Sequence, residues 1–128
     1  MGELEFESSY QGVRRVSLAE FEAGLAELKR AVEADGAQLL VVSMPRRPGV
    51  DMNAPILRKY SACVVDYCKM SGTALFDGRT DFREYRELEH GDANLFFLDG
   101  DDYHPSKRGH ARIAQKLFES VVASRGPR

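Results

Sequence analysis

Residues 99–114 read Asp99-Gly-Asp-Asp-Tyr-His-Pro-Ser-Lys-Arg-Gly-His-Ala-Arg-Ile-Ala114, an acidic turn with one histidine that leads directly into a helix. Pro105 makes the end of the turn rigid, and Ser106 is a good N-cap for a helix from Lys107 to about Val122. Asp101 and His104 stand three residues apart on this turn. That spacing lets a carboxylate accept a hydrogen bond from one imidazole nitrogen while the other nitrogen points outward, as in the orienter and base of a nucleophilic triad.

The same turn also has a purely structural interpretation. Carboxylates are favourable near the positive N-terminal end of a helix, and a histidine there can be an ordinary hydrogen-bond partner. The sequence leaves open whether Asp101 or its neighbour Asp102 meets the imidazole. A calcium loop counted from Asp99 does not fit, because His104 and His110 occupy the positions where an EF-hand needs glycine and glutamate. We therefore predict no metal site here.

Residues 101–114 resemble the last motif block of the SGNH (GDSL-type) ester hydrolases. In that family Asp-x-x-His-Pro is followed by a Gly-His pair, here Gly109-His110, and by an Ile-Ala or Leu-Ala step, here Ile113-Ala114. The resemblance implies that Asp101 and His104 are the catalytic Asp and His. It further implies hydrolysis of a carboxylic ester, such as an acetylated sugar or a small acyl ester, without a cofactor.

The first helix is the surest secondary-structure prediction. Ser17-Leu-Ala-Glu20 is a capping box, and the helix that it begins ends at Asp35-Gly36. Leu39-Leu-Val-Val-Ser-Met44 follows as a continuous apolar run, which predicts a strand buried on both faces.

A second helix and a second strand repeat the pattern. Asn53 is predicted to cap a helix that extends to Ser71-Gly72, and Thr73-Ala-Leu-Phe76 is predicted to form a short strand. A short helix from Asp81 to about Glu89 and a buried approach segment, Leu95-Phe-Phe-Leu98, then lead to the acidic turn.

Arg46 and Arg47 lie in the predicted loop 45–53, at the carboxyl end of the first strand, where open α/β sheets place their ligands. They can hold an anionic group of a substrate. They can equally be solvated loop charges.

The order helix, strand, helix, strand predicts an α/β domain with two parallel strands and flanking helices. The resemblance implies the three-layer, flavodoxin-like SGNH fold, truncated to its C-terminal part over residues 17–124. Residues 1–16 are a poorly defined N-terminal segment and 125–128 a tail. The family's Gly-Asp-Ser nucleophile segment is not in the sequence, since Gly91-Asp92 is followed by Ala93. The resemblance thus implies that the serine comes from another polypeptide or from sequence not present.

A second hypothesis is a non-catalytic hydrolase remnant, an interaction module that uses its exposed sheet edge. Two strands with flanking helices leave an edge that normally packs against the rest of such a sheet. A homodimer or a separate N-terminal half would cover it.

Composition and charge limit the classes of protein to which this chain can belong. The 128 residues carry 18 basic and 20 acidic side chains and a net charge of −2, which is typical of one small soluble domain. Basic residues are mixed along the chain, so we expect no nucleic-acid partner. No apolar run approaches the roughly 20 residues of a membrane span, and the acidic N-terminus is unlike a secretory signal. The chain as given is thus expected to be cytoplasmic.

Cys63 and Cys68 are five residues apart within a predicted helix, which favours two core residues over a redox or zinc pair.

Overall fold

The computed structural model of the protein describes residues 15–88 and 91–125. Most of the N-terminal segment 1–16, the predicted end of a helix at Glu89 and the last residues of the tail lie outside the described residues.

The described chain is mixed α/β and mostly helical, with two parallel strands in one sheet. The elements in chain order are α1 (Leu18–Ala34), β1 (Leu40–Ser43), α2 (Pro48–Asn53), α3 (Pro55–Ser71), β2 (Ala74–Asp77), α4 (Gly78–Leu88), a 3₁₀ turn (Ala93–Phe96) and α5 (Lys107–Arg125). Leu40 pairs with Ala74 and Ser43 with Asp77, so the two strands end together at one carboxyl edge. The predicted α/β class with two parallel strands is confirmed.

Helix α1 begins and ends as the sequence predicts. Ser17 Oγ accepts from the Glu20 amide at 3.1 Å, and the Glu20 carboxylate accepts from the Ser17 amide at 2.9 Å. Gly36 follows the helix with φ of 76°, a left-handed conformation that glycine adopts without strain. The helix packs on α3 through an edge-to-face contact of Phe21 with Tyr60, whose ring centroids are 5.3 Å apart.

Strand β1 is less buried than predicted. Ser43 is buried, but Leu40, Val41 and Val42 are only half-buried, so the prediction of a strand buried on both faces is wrong. The continuous apolar run is typical of a strand inside a larger sheet. Within the described residues β1 pairs with β2 alone, so less of its surface is covered.

Two prolines change the predicted loop and the next helix. Pro48 begins the short helix α2 inside the segment predicted to be a loop, and Pro55 begins α3 after Ala54. Asn53 is the last residue of α2 and not the cap of α3, which has no side-chain cap. Proline suits the first helical turn because its φ is already helical and its missing N–H needs no partner there.

Helix α4 begins at Gly78, directly after β2 and three residues before the predicted Asp81. The reason is that Asp77 caps it: one carboxylate oxygen accepts from the Thr80 hydroxyl at 2.7 Å and the other from the Thr80 amide at 3.4 Å. Gly78 must be small, because a Cβ there would lie 2.8 Å from the Ser43 carbonyl oxygen.

The core lies between β2, α4, the 3₁₀ turn and α5. Its buried members are mostly aromatic: Phe76, Phe82, Ala93, Phe96, Phe97 and Ile113. The predicted buried segment 95–98 is only half correct, since Phe96 and Phe97 are buried while Leu95 and Leu98 are 47% and 50% exposed. Two consecutive buried residues are possible here because Phe96 ends the 3₁₀ turn and Phe97 has extended backbone.

Both cysteines are free thiols on α3, with Cys68 buried and Cys63 half-buried. Burial raises the pKa of each thiol, and Glu22 and Asp66 raise that of Cys63 further. No helix of the described chain combines the length and the apolar character that crossing a membrane requires.

Candidate active site

Asp101 and His104 are in direct contact. His104 Nδ1 lies 2.7 Å from Asp101 Oδ2, which answers the question that the sequence left open about the partner carboxylate. Asp101 Oδ1 accepts from the backbone amides of Tyr103 and His104, both at 2.8 Å. An ionised carboxylate beside Nδ1 favours the neutral tautomer in which Nδ1 carries the proton and Nε2 keeps its lone pair. The side chain of His104 is 74% exposed, so solvent reaches the ring.

The backbone holds this pair in a narrow turn. The Leu98 amide donates to the His104 carbonyl and the Asp101 amide to the Leu98 carbonyl, each at 3.1 Å. Gly100 has φ of 71°, the left-handed conformation that closes the turn. Beyond it, Phe97 and Pro105 form an antiparallel bridge. The dyad therefore stands on a closed loop and not on a free segment.

The three hydrogen bonds to Asp101 fix its charge. Donation by the Tyr103 amide, then by the His104 amide and the His104 ring, lowers the pKa of this carboxyl from 3.8 to about 2. Asp101 is thus ionised at neutral pH. An anionic orienter beside Nδ1 is what a base dyad requires.

Arg47 contacts the acidic turn from the β1 side. Its guanidinium donates to the carbonyl oxygens of Leu98 and Asp101, both at 3.0 Å, and to Asn94 Oδ1 at 2.9 Å. Arg47 Nε is 3.3 Å from Asp102 Oδ1, and the Arg47 amide donates to the Asp102 carbonyl at 2.9 Å. From the sequence, Arg47 could either bind an anionic group of a substrate or be a solvated charge of the loop. The structure gives it contacts within the protein that hold the turn to the end of β1.

Arg46 has different neighbours from Arg47. It donates to Ser61 Oγ on α3 at 3.2 Å and lines a cavity beside α4. The two adjacent arginines, predicted to act alike, therefore do not share a site.

Ser106 joins α5 to the 3₁₀ turn. Its Oγ accepts from the Gly109 amide at 3.2 Å, which confirms the predicted N-cap, and donates to the Leu95 carbonyl at 2.7 Å. Its amide donates to the Phe96 carbonyl at 2.7 Å. A Cβ at Gly109 would lie 2.1 Å from that carbonyl oxygen, so the glycine permits this close approach. The close contact of Gly109 is therefore with the 3₁₀ turn and not with the sheet.

An ion pair that the sequence did not indicate ties α5 to α4. Arg112 makes a bidentate pair with Asp81, at 2.6 Å and 3.0 Å, and both side chains are largely buried. The guanidinium also stacks over the ring of Tyr85, 4.6 Å from its centroid. No local pattern could have named this partner, because Asp81 lies 31 residues before Arg112 in the sequence.

No nucleophile meets His104 among the described residues, whose hydrogen bonds include no serine or threonine hydroxyl on its ring. Ser17 and Ser106 are helix caps, and Ser61 donates to the Leu57 carbonyl. Ser8 and Ser9 lie outside the described residues. Nor do three or more His, Cys, Asp or Glu side chains converge as a metal site in the same part of the chain.

Comparison of the chain with protein-family models, with curated proteins and with solved structures finds no match.

Proposed function

We propose that this chain supplies the base and orienter of an SGNH-type ester hydrolase, within the C-terminal part of a three-layer flavodoxin-like domain. The observation that carries the proposal is the 2.7 Å contact of His104 Nδ1 with an aspartate whose pKa is lowered to about 2. The motif resemblance agrees with it, because Asp101 and His104 are the two residues that match the family's catalytic pair.

The roles follow from the tautomer. His104 Nε2 takes the proton of a serine hydroxyl as that oxygen attacks the ester carbonyl, and returns it to the leaving alkoxide. Asp101 holds the Nδ1–H and stabilises the imidazolium between the two steps. The substrate is a carboxylic ester, such as an acetylated sugar or a small acyl ester, and no cofactor takes part.

The serine and the oxyanion donors belong, in this proposal, to residues outside the 128. A Gly-Asp-Ser segment is absent from the sequence. Oxyanion stabilisation accounts for about 10²–10³ of the rate in enzymes of this chemistry, so the dyad alone is a slow catalyst. Without the serine, His104 Nε2 can take a proton only from a water molecule that attacks the ester carbonyl, so we expect low but His104-dependent turnover from the chain by itself.

A second candidate function is the interaction module without catalysis. It is favoured by the half-buried apolar residues of β1 and by α1, a fully described helix in which no residue is buried. Both features are expected where another polypeptide completes a layer. Association of the chain would then be its function, and His104 would be a structural residue of the turn.

Hydrolysis of p-nitrophenyl acetate separates the two proposals. The wild-type chain is compared with His104→Ala and with Asp101→Asn, which keeps an oxygen for the two amides but loses the charge beside Nδ1. His110→Ala is the matched control, because His110 is also an exposed histidine and lies in the first turn of α5. If the hydrolase proposal is correct, the wild-type chain hydrolyses the ester faster than buffer alone does. That rate should fall in His104→Ala and Asp101→Asn and persist in His110→Ala.

The nitrogen NMR shifts of the imidazole provide an independent test of the dyad. An Nδ1–H tautomer at His104, lost in Asp101→Asn, is expected. A predominant Nε2–H tautomer in the wild type, or equal rates for wild type and His104→Ala, refutes the base role. Concentration-dependent association together with that result would establish the interaction module instead.

A further inference from the structure

The backbone of Arg47 is fixed at the carboxyl end of β1. It lies between Pro45, which is fully buried, and Pro48, which begins α2. With φ of −54° and ψ of 135°, Arg47 has the extended conformation that a following proline favours. Its amide donates to the Asp102 carbonyl at 2.9 Å. The side chain therefore starts from a defined point beside the acidic turn.

The guanidinium of Arg47 binds acceptors from three different residues. One terminal nitrogen donates to the carbonyl oxygens of Leu98 and Asp101, both at 3.0 Å, and Nε donates to the Asp101 carbonyl at 3.3 Å. The other terminal nitrogen donates to Asn94 Oδ1 at 2.9 Å. The group also lies over the ring of Phe97, 5.4 Å from its centroid. A planar fork of donors can hold all three residues in one arrangement, whereas an ammonium group is a compact point charge.

Both carbonyls that Arg47 binds belong to residues that hold the dyad. Asp101 carries the carboxylate that lies 2.7 Å from His104 Nδ1. Leu98 donates its amide to the His104 carbonyl at 3.1 Å. The two backbone segments that set the imidazole against the carboxylate are thus tied to the end of β1.

The contacts of Arg47 indicate that it acts through position and not through its charge. Its ion pair with Asp102 has an N–O distance of 3.3 Å, and the two side chains are 24% and 48% exposed, so that pair is weak. The shorter contacts of the guanidinium are with neutral oxygens of the backbone and of Asn94. Charge-assisted hydrogen bonds to such oxygens fix where the turn lies.

We infer that Arg47 is the positioning residue of the Asp101–His104 dyad, because its guanidinium fork holds the turn in the conformation in which the carboxylate faces Nδ1. The inference rests on the proposed function, in which this dyad is the orienter and base. Without the fork the turn loses these ties to β1, and the distance between carboxylate and imidazole is no longer fixed. A displacement of about 1 Å in a catalytic group can cost up to about 10²-fold in rate.

Nitrogen NMR of the His104 ring, measured without substrate, tests the positioning role in two variants. Arg47→Met keeps most of the apolar stem, and Arg47→Lys keeps the charge but not the fork. In both we expect the fraction of the Nδ1–H tautomer to fall toward its value in Asp101→Asn. The His104-dependent rate of p-nitrophenyl acetate hydrolysis should fall at least about tenfold in both. Arg30→Met is the matched control, because Arg30 is an exposed arginine on α1, and it should match the wild type in both measurements.

The tautomer separates positioning from a merely structural role, since a loss of stability leaves the ring of the molecules that remain folded unchanged. Urea unfolding shows whether each variant is folded, and if Arg47→Met is not, Arg47→Lys provides the test. A wild-type tautomer fraction in either folded variant would overturn the inference, as would an equal change in Arg30→Met. The hydrolase proposal fails by a different result, equal hydrolysis by wild type and His104→Ala, so the two failures can be told apart.

Discussion

Gly109 is the position at which a single methyl group should reveal how α5 is held. Alanine favours helix over glycine by about 1 kcal/mol, so the substitution would stabilise an isolated helix. In the fold, however, the new Cβ would lie 2.1 Å from the Phe96 oxygen, about 1 Å short of the roughly 3.3 Å at which carbon and oxygen settle. Moving α5 away stretches the two bonds of Ser106 to the 3₁₀ turn, each contributing about 1 kcal/mol, and overpacking costs about 1–3 kcal/mol. The clash outweighs the propensity, and we expect Gly109→Ala to lower the free energy of unfolding by about 3 kcal/mol.

Gly24→Ala is the control, since it makes the same substitution inside α1 with nothing within 4 Å of the new Cβ. Only the propensity acts there, so we expect a gain of about 0.5–1 kcal/mol. Urea unfolding followed by far-UV circular dichroism measures both variants. If Gly109→Ala is as stable as the wild type, or if the two variants change stability in the same direction, the close approach of α5 to the 3₁₀ turn is not as described.

Two further predictions concern charged groups near the site. Asp81→Asn leaves Arg112 largely buried without its carboxylate and should lower the free energy of unfolding by about 3 kcal/mol in the same experiment. Lys116→Ala is the control, because it removes an exposed pair with Glu119 and should lower that free energy by less than ~1 kcal/mol. Equal losses in the two variants would contradict the buried ion pair. Asp101 has a folded pKa of about 2, below its ordinary 3.8, so the stability from its contacts is complete above the ordinary value and is lost as the pH falls through about 2. The amide shifts of Tyr103 and His104 should follow that titration, and a midpoint at or above 3.8 would contradict it.

The features that the sequence predicted correctly are those decided within a few residues. The capping box at Ser17 and Glu20, the cap of α5 by Ser106 and the Asp101–His104 contact each join groups three residues apart. At that separation the local backbone already brings donor and acceptor together, so the residue types suffice.

The two features predicted incorrectly, the burial of β1 and the residue at which α3 begins, depend on the surroundings of each element. An apolar run predicts a fully buried strand only if enough neighbours cover it, and no local pattern reports how many strands the sheet has. Asn53 has the right chemistry for a cap, but Pro55 is better placed to begin a helix because its φ is fixed. Competing local signals of this kind are decided by the rest of the fold.

Arg46 and Arg47 show most directly why the site could be predicted only in part. Both are arginines in one loop at the end of β1, and residue type assigns them the same role. Arg47 instead contacts Asp101 and Asp102, more than fifty residues later in the chain, while Arg46 donates to Ser61 on α3 and lines a cavity beside α4. The carboxyl edge of the sheet is where these distant segments meet, so partners at that edge follow from the topology and not from the loop.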